Sequence, residues 1–198
     1  MTADSASDAT TCPWNQRETE LLAITLELLQ EHGYDRLTVE AVASKAKASK
    51  ATMYRRWPSK ADLVLAAFIE GTRNSAVAPH TGSLRGDLLA IGRSTCEQAR
   101  VHRRTMRAVL NEMSHSPELE EAMQEKFVLQ RKLVIDGVLA AAVERGEIDA
   151  AAVNEEIFDL LPGYLVFRSL ISDRPPTDAT VQTLVDDVLL PSLTSGRT

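Results

Sequence analysis

Between residues 38 and 63, three hydroxyl side chains, Thr38, Ser49 and Ser59, each stand directly ahead of a short run with helical spacing. Pro58 closes the middle run. This punctuation constrains the fold more than any other feature of the chain. Val39, Val42, Ala43 and Ala46 recur at i, i+3, i+4 and i+7, which gives a two-turn helix one buried face. A turn near Lys47-Ala48 follows, and Ser49 caps a second short helix on which Met53 and Trp57 lie four apart and point inward. Ser49, Lys50, Ala51, Tyr54 and Arg55 are left facing outward or along the rim. Ser59-Lys60-Ala61-Asp62 then resembles a capping box and opens a longer helix, expected to run to about Val77. Two short helices joined by a tight turn, the first bracing the second, have the length and patterning of a helix-turn-helix.

The charge distribution supports the same reading. The 198-residue chain has a formal net charge of −6, which taken alone argues against nucleic acid. From Arg36 to Lys60, however, seven cations stand against Glu40 alone, leaving +6 in that window and −12 on the rest. A basic block on an acidic protein is an electrostatic footprint for DNA. Small residues at the start of the second helix let it sink into the major groove. Lys50 is placed to bond guanine acceptors and Thr52 to touch a thymine methyl. Tyr54, Arg55, Arg56 and Lys60 suit phosphates, and the free N–H groups at Ser59 can meet another. Arg36 and Lys45 fit surface charge and phosphate contact equally well.

Thr38-Val39 through Ala43, then Ser49-Lys50-Ala51-Thr52-Met53-Tyr54-Arg55-Arg56-Trp57-Pro58-Ser59-Lys60-Ala61-Asp62-Leu63, resembles the signature of the tetracycline-repressor (TetR) family, and Gly33-Tyr34 ahead of it matches as well. The resemblance implies a three-helix DNA-binding head, a helical ligand-binding body and a homodimer. By position it makes Thr38, Thr52, Tyr54 and Lys60 phosphate clamps, and it puts Lys50 and Ala51 against bases. The chain departs from the family at Lys47, where the turn usually holds glycine. A lysine in a left-handed turn conformation costs about 1 kcal/mol and adds a charge near the DNA.

Around this motif the expected fold is all-α, with about nine helices and no strand, because no segment alternates at period two. The domains expected are a flexible N-terminal arm over 1–15, a DNA-binding domain over 16–76 with its fourth helix as connector, and an effector-binding and dimerisation domain over 77–198. The helix after the arm is expected from Arg17 to His32, with Gly33 as its stop. A long helix is expected from Pro117 to Arg145. Pro162 is expected to kink the helix spanning Val153–Ser172, and the final helix is expected to end before Pro191. Ser83-Leu84-Arg85-Gly86-Asp87-Leu88 and Glu144-Arg145-Gly146-Glu147-Ile148 resemble stretches of one branch of the family.

In the family the last two helices form a four-helix interface between subunits. The resemblance therefore makes Leu160, Leu161, Gly163, Val181, Leu184, Val185 and Val188 candidates for a dimer contact. Met106, Leu110, Met113, Met123, Phe127, Phe158, Tyr164 and Phe167 are candidates to line an adaptable apolar pocket for an unknown small-molecule effector. His102, Arg103, Arg104 and Arg107 form a second basic cluster, read as a solvated helix face, with an anionic effector as the alternative.

The two cysteines, Cys12 and Cys96, read as reduced thiols, and no metal spacing or cofactor is expected. The N-terminus lacks the regions of a signal peptide, and apolar runs such as Val138–Val143 are far short of a membrane span, so the chain reads as cytoplasmic. No nucleophile elbow, phosphate loop or dinucleotide fingerprint suggests an enzyme. The reading that results is a dimeric repressor on a near-palindromic operator, released by an effector. The alternative is a helix-turn-helix protein without an effector, or one acting as an activator.

Overall fold

The computed structural model describes residues 13–194, and among them there are helices and turns but no strand. The helices are α1 (Gln16–Arg36), α2 (Val39–Lys45), α3 (Lys50–Arg56), α4 (Lys60–Gly71), α5 (Leu84–Val101), α6 (Arg103–Met113), α7 (Pro117–Met123), α8 (Leu129–Glu144), α9 (Glu155–Leu170), α10 (Asp178–Leu184) and α11 (Leu190–Thr194). Five-residue π turns, Gln124–Val128 and Val185–Leu189, join α7 to α8 and α10 to α11. Counted as two continuous helices, these pairs bring the described residues to nine helices. Cys12 and nearly all of the expected arm lie outside the described residues.

The chain divides into two compact units. The first joins residues 13–77 to 104–121, and the second joins 78–103 to 122–194. The sequence had placed 104–121 with the body. Most of α6 instead belongs to the first unit, where Thr105 and Val109 are buried.

In the first unit α1 and α4 pack along one another. Leu21, Leu22, Leu28 and Leu29 of α1 and Leu63, Val64, Ala67 and Phe68 of α4 are buried. Burying each such leucine is worth roughly 1.5–3 kcal/mol. The start of α1 is fixed by a capping box. Asn15 Oδ1 accepts the Glu18 N–H at 2.9 Å, and Glu18 Oε2 accepts the Asn15 N–H at 2.9 Å. The helix therefore begins one residue before the expected Arg17. Gly33, at φ 77°, interrupts it where the stop was expected, and one further turn reaches Arg36. α4 ends earlier than expected, at Gly71, and a 3₁₀ turn, Arg73–Ala76, follows.

In the second unit α5, α8, α9 and α10 surround a core that includes Leu88, Leu139, Leu161, Leu165, Val181 and Val185. α5 and α10 approach closely at Gly92, where a Cβ would stand 2.4 Å from Val181 Cγ1. The two stretches singled out by family resemblance meet here. Glu147 Oε2 accepts the Leu84 N–H at 2.7 Å, and Arg145 bridges Glu147 at 2.5 Å and the buried Asp87 at 3.5 Å. Asp87 Oδ1 also accepts the Thr81 N–H and hydroxyl, each at 2.7 Å.

Pro191 does not end its helix as expected. α9 runs through Pro162 as helix, and the last helix continues past Pro191 to Thr194. The π turn just ahead of Pro191 shifts the Leu190 N–H onto Val185 O, widening the helix where the proline ring would otherwise press on the preceding turn. The basic cluster over 102–107 is not a uniformly solvated face. His102 is buried, Arg103 pairs with Asp173, and Arg104 donates to Gln30 O at 3.1 Å.

Candidate nucleic-acid interface

The interface begins with three helix starts, each closed by its own hydroxyl. Thr38 accepts the Ala41 N–H at 3.1 Å, Ser49 the Thr52 N–H at 3.1 Å, and Ser59 the Asp62 N–H at 3.1 Å. Asp62 returns the bond to the Ser59 N–H at 3.0 Å, completing the second capping box. Between α2 and α3, Lys47 adopts φ 51°, the left-handed conformation expected of it. Arg17, from α1, donates to Ala46 O and so ties this turn to the first helix.

These caps set the rotation of α3. Met53 is wholly buried and Trp57 nearly so. Ser49, Lys50, Ala51, Thr52, Tyr54, Arg55 and Arg56 are exposed, as are Thr38 and Lys47, while Lys60 is half-buried. One side of a seven-residue helix is thus bonded into the unit, and the other is a continuous polar, cationic surface.

Several of those cations are already engaged. Lys50 Nζ lies 3.5 Å from Glu40, and the Tyr54 hydroxyl donates to the same carboxylate at 3.4 Å. Glu40 is held below the usual carboxylate range, first by its own backbone N–H and then by Lys50. It therefore stays ionised near neutrality, and Lys50 must leave it to reach a base.

Arg56 Nε pairs with Glu18 at 2.6 Å, and its guanidinium lies 4.8 Å from the centre of the Trp14 ring. Trp14 in turn stands 6.0 Å from Trp57. Lys60 Nζ donates to Tyr34 O at 3.0 Å and sits 4.1 Å over the Tyr34 ring. Burial first, and then Glu112, push the Tyr34 phenol up to about 12. Lys45 is paired with Glu27 at 2.9 Å, and Arg36 donates to His32 O at 3.0 Å, so both serve the surface of α1.

The side chains of Lys47 and Arg55 have no hydrogen bond or ion pair among the described residues. Glu18, Glu40 and Trp14 were not anticipated as parts of this surface. Asn15-x-x-Glu18 is itself a legible capping box, whereas the reach of Glu40 to α3 depends on the angle between helices.

The other candidate sites are scattered. Leu161, Val181, Leu184 and Val185, offered as dimer contacts, are buried in the core of their own unit, because α9 and α10 turn those stripes toward α5. Leu160, Gly163 and Val188 are exposed. Tyr164 and Phe167, offered as pocket lining, are exposed with Leu160 on the outer side of α9. Phe158 borders a small depression with Leu133, and Phe127 stacks against Arg131. Met106, Leu110 and Met113 belong to the first unit, and Leu110 is exposed. Met123 is buried.

Residues 21–67 match the family described as bacterial regulatory proteins, tetR family, and residues 78–188 match the tetracyclin repressor-like C-terminal domain. The chain belongs to the TetR family. It is 62% identical to the uncharacterized HTH-type transcriptional regulator Rv1556 of Mycobacterium tuberculosis, over 97% of this chain and 94% of that one. It is 35% identical to the DNA-binding transcriptional repressor TetR of Mycobacteroides abscessus, over 91% and 95% of the two chains. The solved TetR family transcription regulator SCO0332 superposes with a TM-score of 0.75 at 31% identity, covering 88% of this chain and 97% of that one. This TetR-family chain is a helix-turn-helix transcriptional regulator. No helix among the described residues is long and apolar enough to cross a membrane.

Within a TetR-type head, Lys47 is the exception to the usual glycine. Lys47→Gly is expected to raise the head's stability by up to about 1 kcal/mol, because glycine adopts positive φ without steric cost. For a Lys47 that meets a phosphate it also removes one cation from the contact, so the slope of log affinity against log salt should then fall by about one per chain. Denaturant midpoints and salt titrations of operator binding check the two effects separately. A variant of unchanged midpoint would mean that Lys47 carries no backbone strain.

Proposed function

We propose that this chain is a cytoplasmic repressor that binds a near-palindromic operator as a homodimer and is released by a small molecule held in its body. The observation that carries the DNA-binding part is the division of α3: Met53 and Trp57 are buried, while Lys50, Ala51, Thr52, Tyr54 and Arg55 are exposed together beside Lys47. Lys50 and Ala51 face bases. Thr38, Thr52, Tyr54, Arg55 and Arg56 meet phosphates, with Lys60 reaching one from its seat on Tyr34.

The repressor reading is supported by the name of the M. abscessus relative. Dimerisation is supported by an exposed apolar stripe, Leu160, Tyr164 and Phe167 on α9 and Ile171 just after it, with Val188 exposed on the last helix. Two recognition helices in successive major grooves must stand roughly 34 Å apart, which makes the operator two half-sites. Release follows only if the effector binds the non-reading conformation more tightly than the reading one.

The test selects bound DNA from a random pool and compares wild type with Lys50→Ala and Tyr54→Ala across salt concentrations. A near-palindrome is expected. Lys50→Ala should relax base preference by about 1–3 kcal/mol at one position per half-site, and Tyr54→Ala should weaken all sequences alike. Enrichment of no sequence, with binding lost at moderate salt, would reduce the basic block to a non-specific patch.

A further inference from the structure

In the second unit, the C-terminal half of α5, the end of α9 and the segment leading into α10 border a half-open cavity of about 380 Å³. Its apolar lining includes Ala99, Pro175, Pro176 and Val181. Its walls carry three guanidinium groups, Arg93, Arg100 and Arg103, and two carboxylates, Glu97 and Asp178; with Asp173, which pairs with Arg103, each guanidinium has one acid partner.

Each arginine is bound to an acid through only part of its five-donor fork. Arg93 gives Nε and Nη2 to Asp178, at 2.5 and 3.3 Å. Arg100 gives Nε and Nη2 to Glu97, at 3.0 and 2.7 Å. Arg103 gives Nη2 to Asp173, while its Nε is buried without an acceptor. That Nε has no open surface, so the donors left for an anionic oxygen in the cavity are the guanidinium Nη groups that the acid pairs do not use, such as Arg103 Nη1. The volume lies within the range of small-molecule sites, and an apolar lining with a few convergent donors is their usual chemistry.

We propose that this cavity binds a small organic carboxylate, its head on Arg103 and Arg100 and its hydrocarbon body against Pro175, Val181 and Cys96. Such a ligand would be the effector of the reading above, on which this inference rests.

Cys96, in the cavity wall, supplies the test. Burial, and then Asp178, push its thiol up, so it is uncharged at neutral pH and leaves the anion to the arginines. In the full-length Cys12→Ser dimer, Cys96 is alkylated with iodoacetate, itself a small carboxylate, and in parallel with neutral iodoacetamide. In both cases the thiolate sulfur displaces iodide, a C–S bond replaces C–I, and the thiol proton goes to buffer.

The ratio of the two rates, divided by the same ratio for N-acetylcysteine, is expected to exceed unity by about tenfold, since guanidinium donors left over from the acid pairs would hold the carboxylate beside Cys96. Iodoacetate labelling should saturate and be blocked by 2-naphthoate but not by 2-naphthol. Arg103→Met should bring the ratio to unity and Arg103→Lys should keep most of it. Arg100→Gln, at a largely exposed side chain, should lower it without disturbing the fold. A ratio of unity in the folded Cys12→Ser protein overturns the proposal. Operator affinity of the carboxymethylated dimer is measured separately. An unchanged value would count against effector release, while the anion site would stand on its labelling ratio.

Discussion

Met53→Ala is expected to lower the stability of the DNA-reading unit by about 2–5 kcal/mol, the usual cost of truncating a fully buried methionine. Met53 has no exposed surface and holds the middle of α3, a seven-residue helix too short to persist without packing. The loss should appear as a lower calorimetric midpoint and as failed operator binding, although no DNA-facing residue is altered. Met53→Leu, which nearly conserves volume, should recover most of both. An Ala variant that melts and binds like wild type would mean that α3 is positioned by its caps alone.

The second large effect is expected at Asp87. This carboxylate is buried and collects the Thr81 N–H and hydroxyl and, at longer range, Arg145. Asp87→Ala leaves those donors facing an empty site and should cost about 2–4 kcal/mol, discounted from a fully buried pair because Arg145 is one-third exposed. Denaturant titration of the single variants and of Asp87→Ala with Arg145→Met isolates the coupling between them. If Asp87→Ala alone shifts the midpoint by no more than a surface substitution, the joint between α5 and the end of α8 is held by Glu147 and the Leu84 N–H.

The DNA-reading half of the molecule was legible because its signals are local. Thr38, Ser49 and Ser59 cap within three residues, and the inward pair Met53 and Trp57 follows from the helical period alone. What the sequence did not carry is which way a two-sided apolar helix faces. On α9, Ile157, Leu161 and Leu165 form one stripe and Leu160, Tyr164 and Phe167 another, and only packing assigns the first to the core. Leu161, Val181, Leu184 and Val185 were therefore offered to a partner subunit, yet they fill their own. The π turns were equally hidden, since they change the bonding of a helix without changing its composition. The counter-charges Glu18 and Glu40 lie in the acidic background of the sequence and acquire meaning only where helices cross.

The pairing of Trp14 with Trp57 has a practical consequence. The chain has two tryptophans, and both lie in the DNA-reading unit, 6.0 Å apart. Light absorbed near 295 nm therefore excites that unit alone. Its emission, quenched or shifted as the indoles separate, gives a label-free optical signal for the melting of the reading head and for the arrival of an operator.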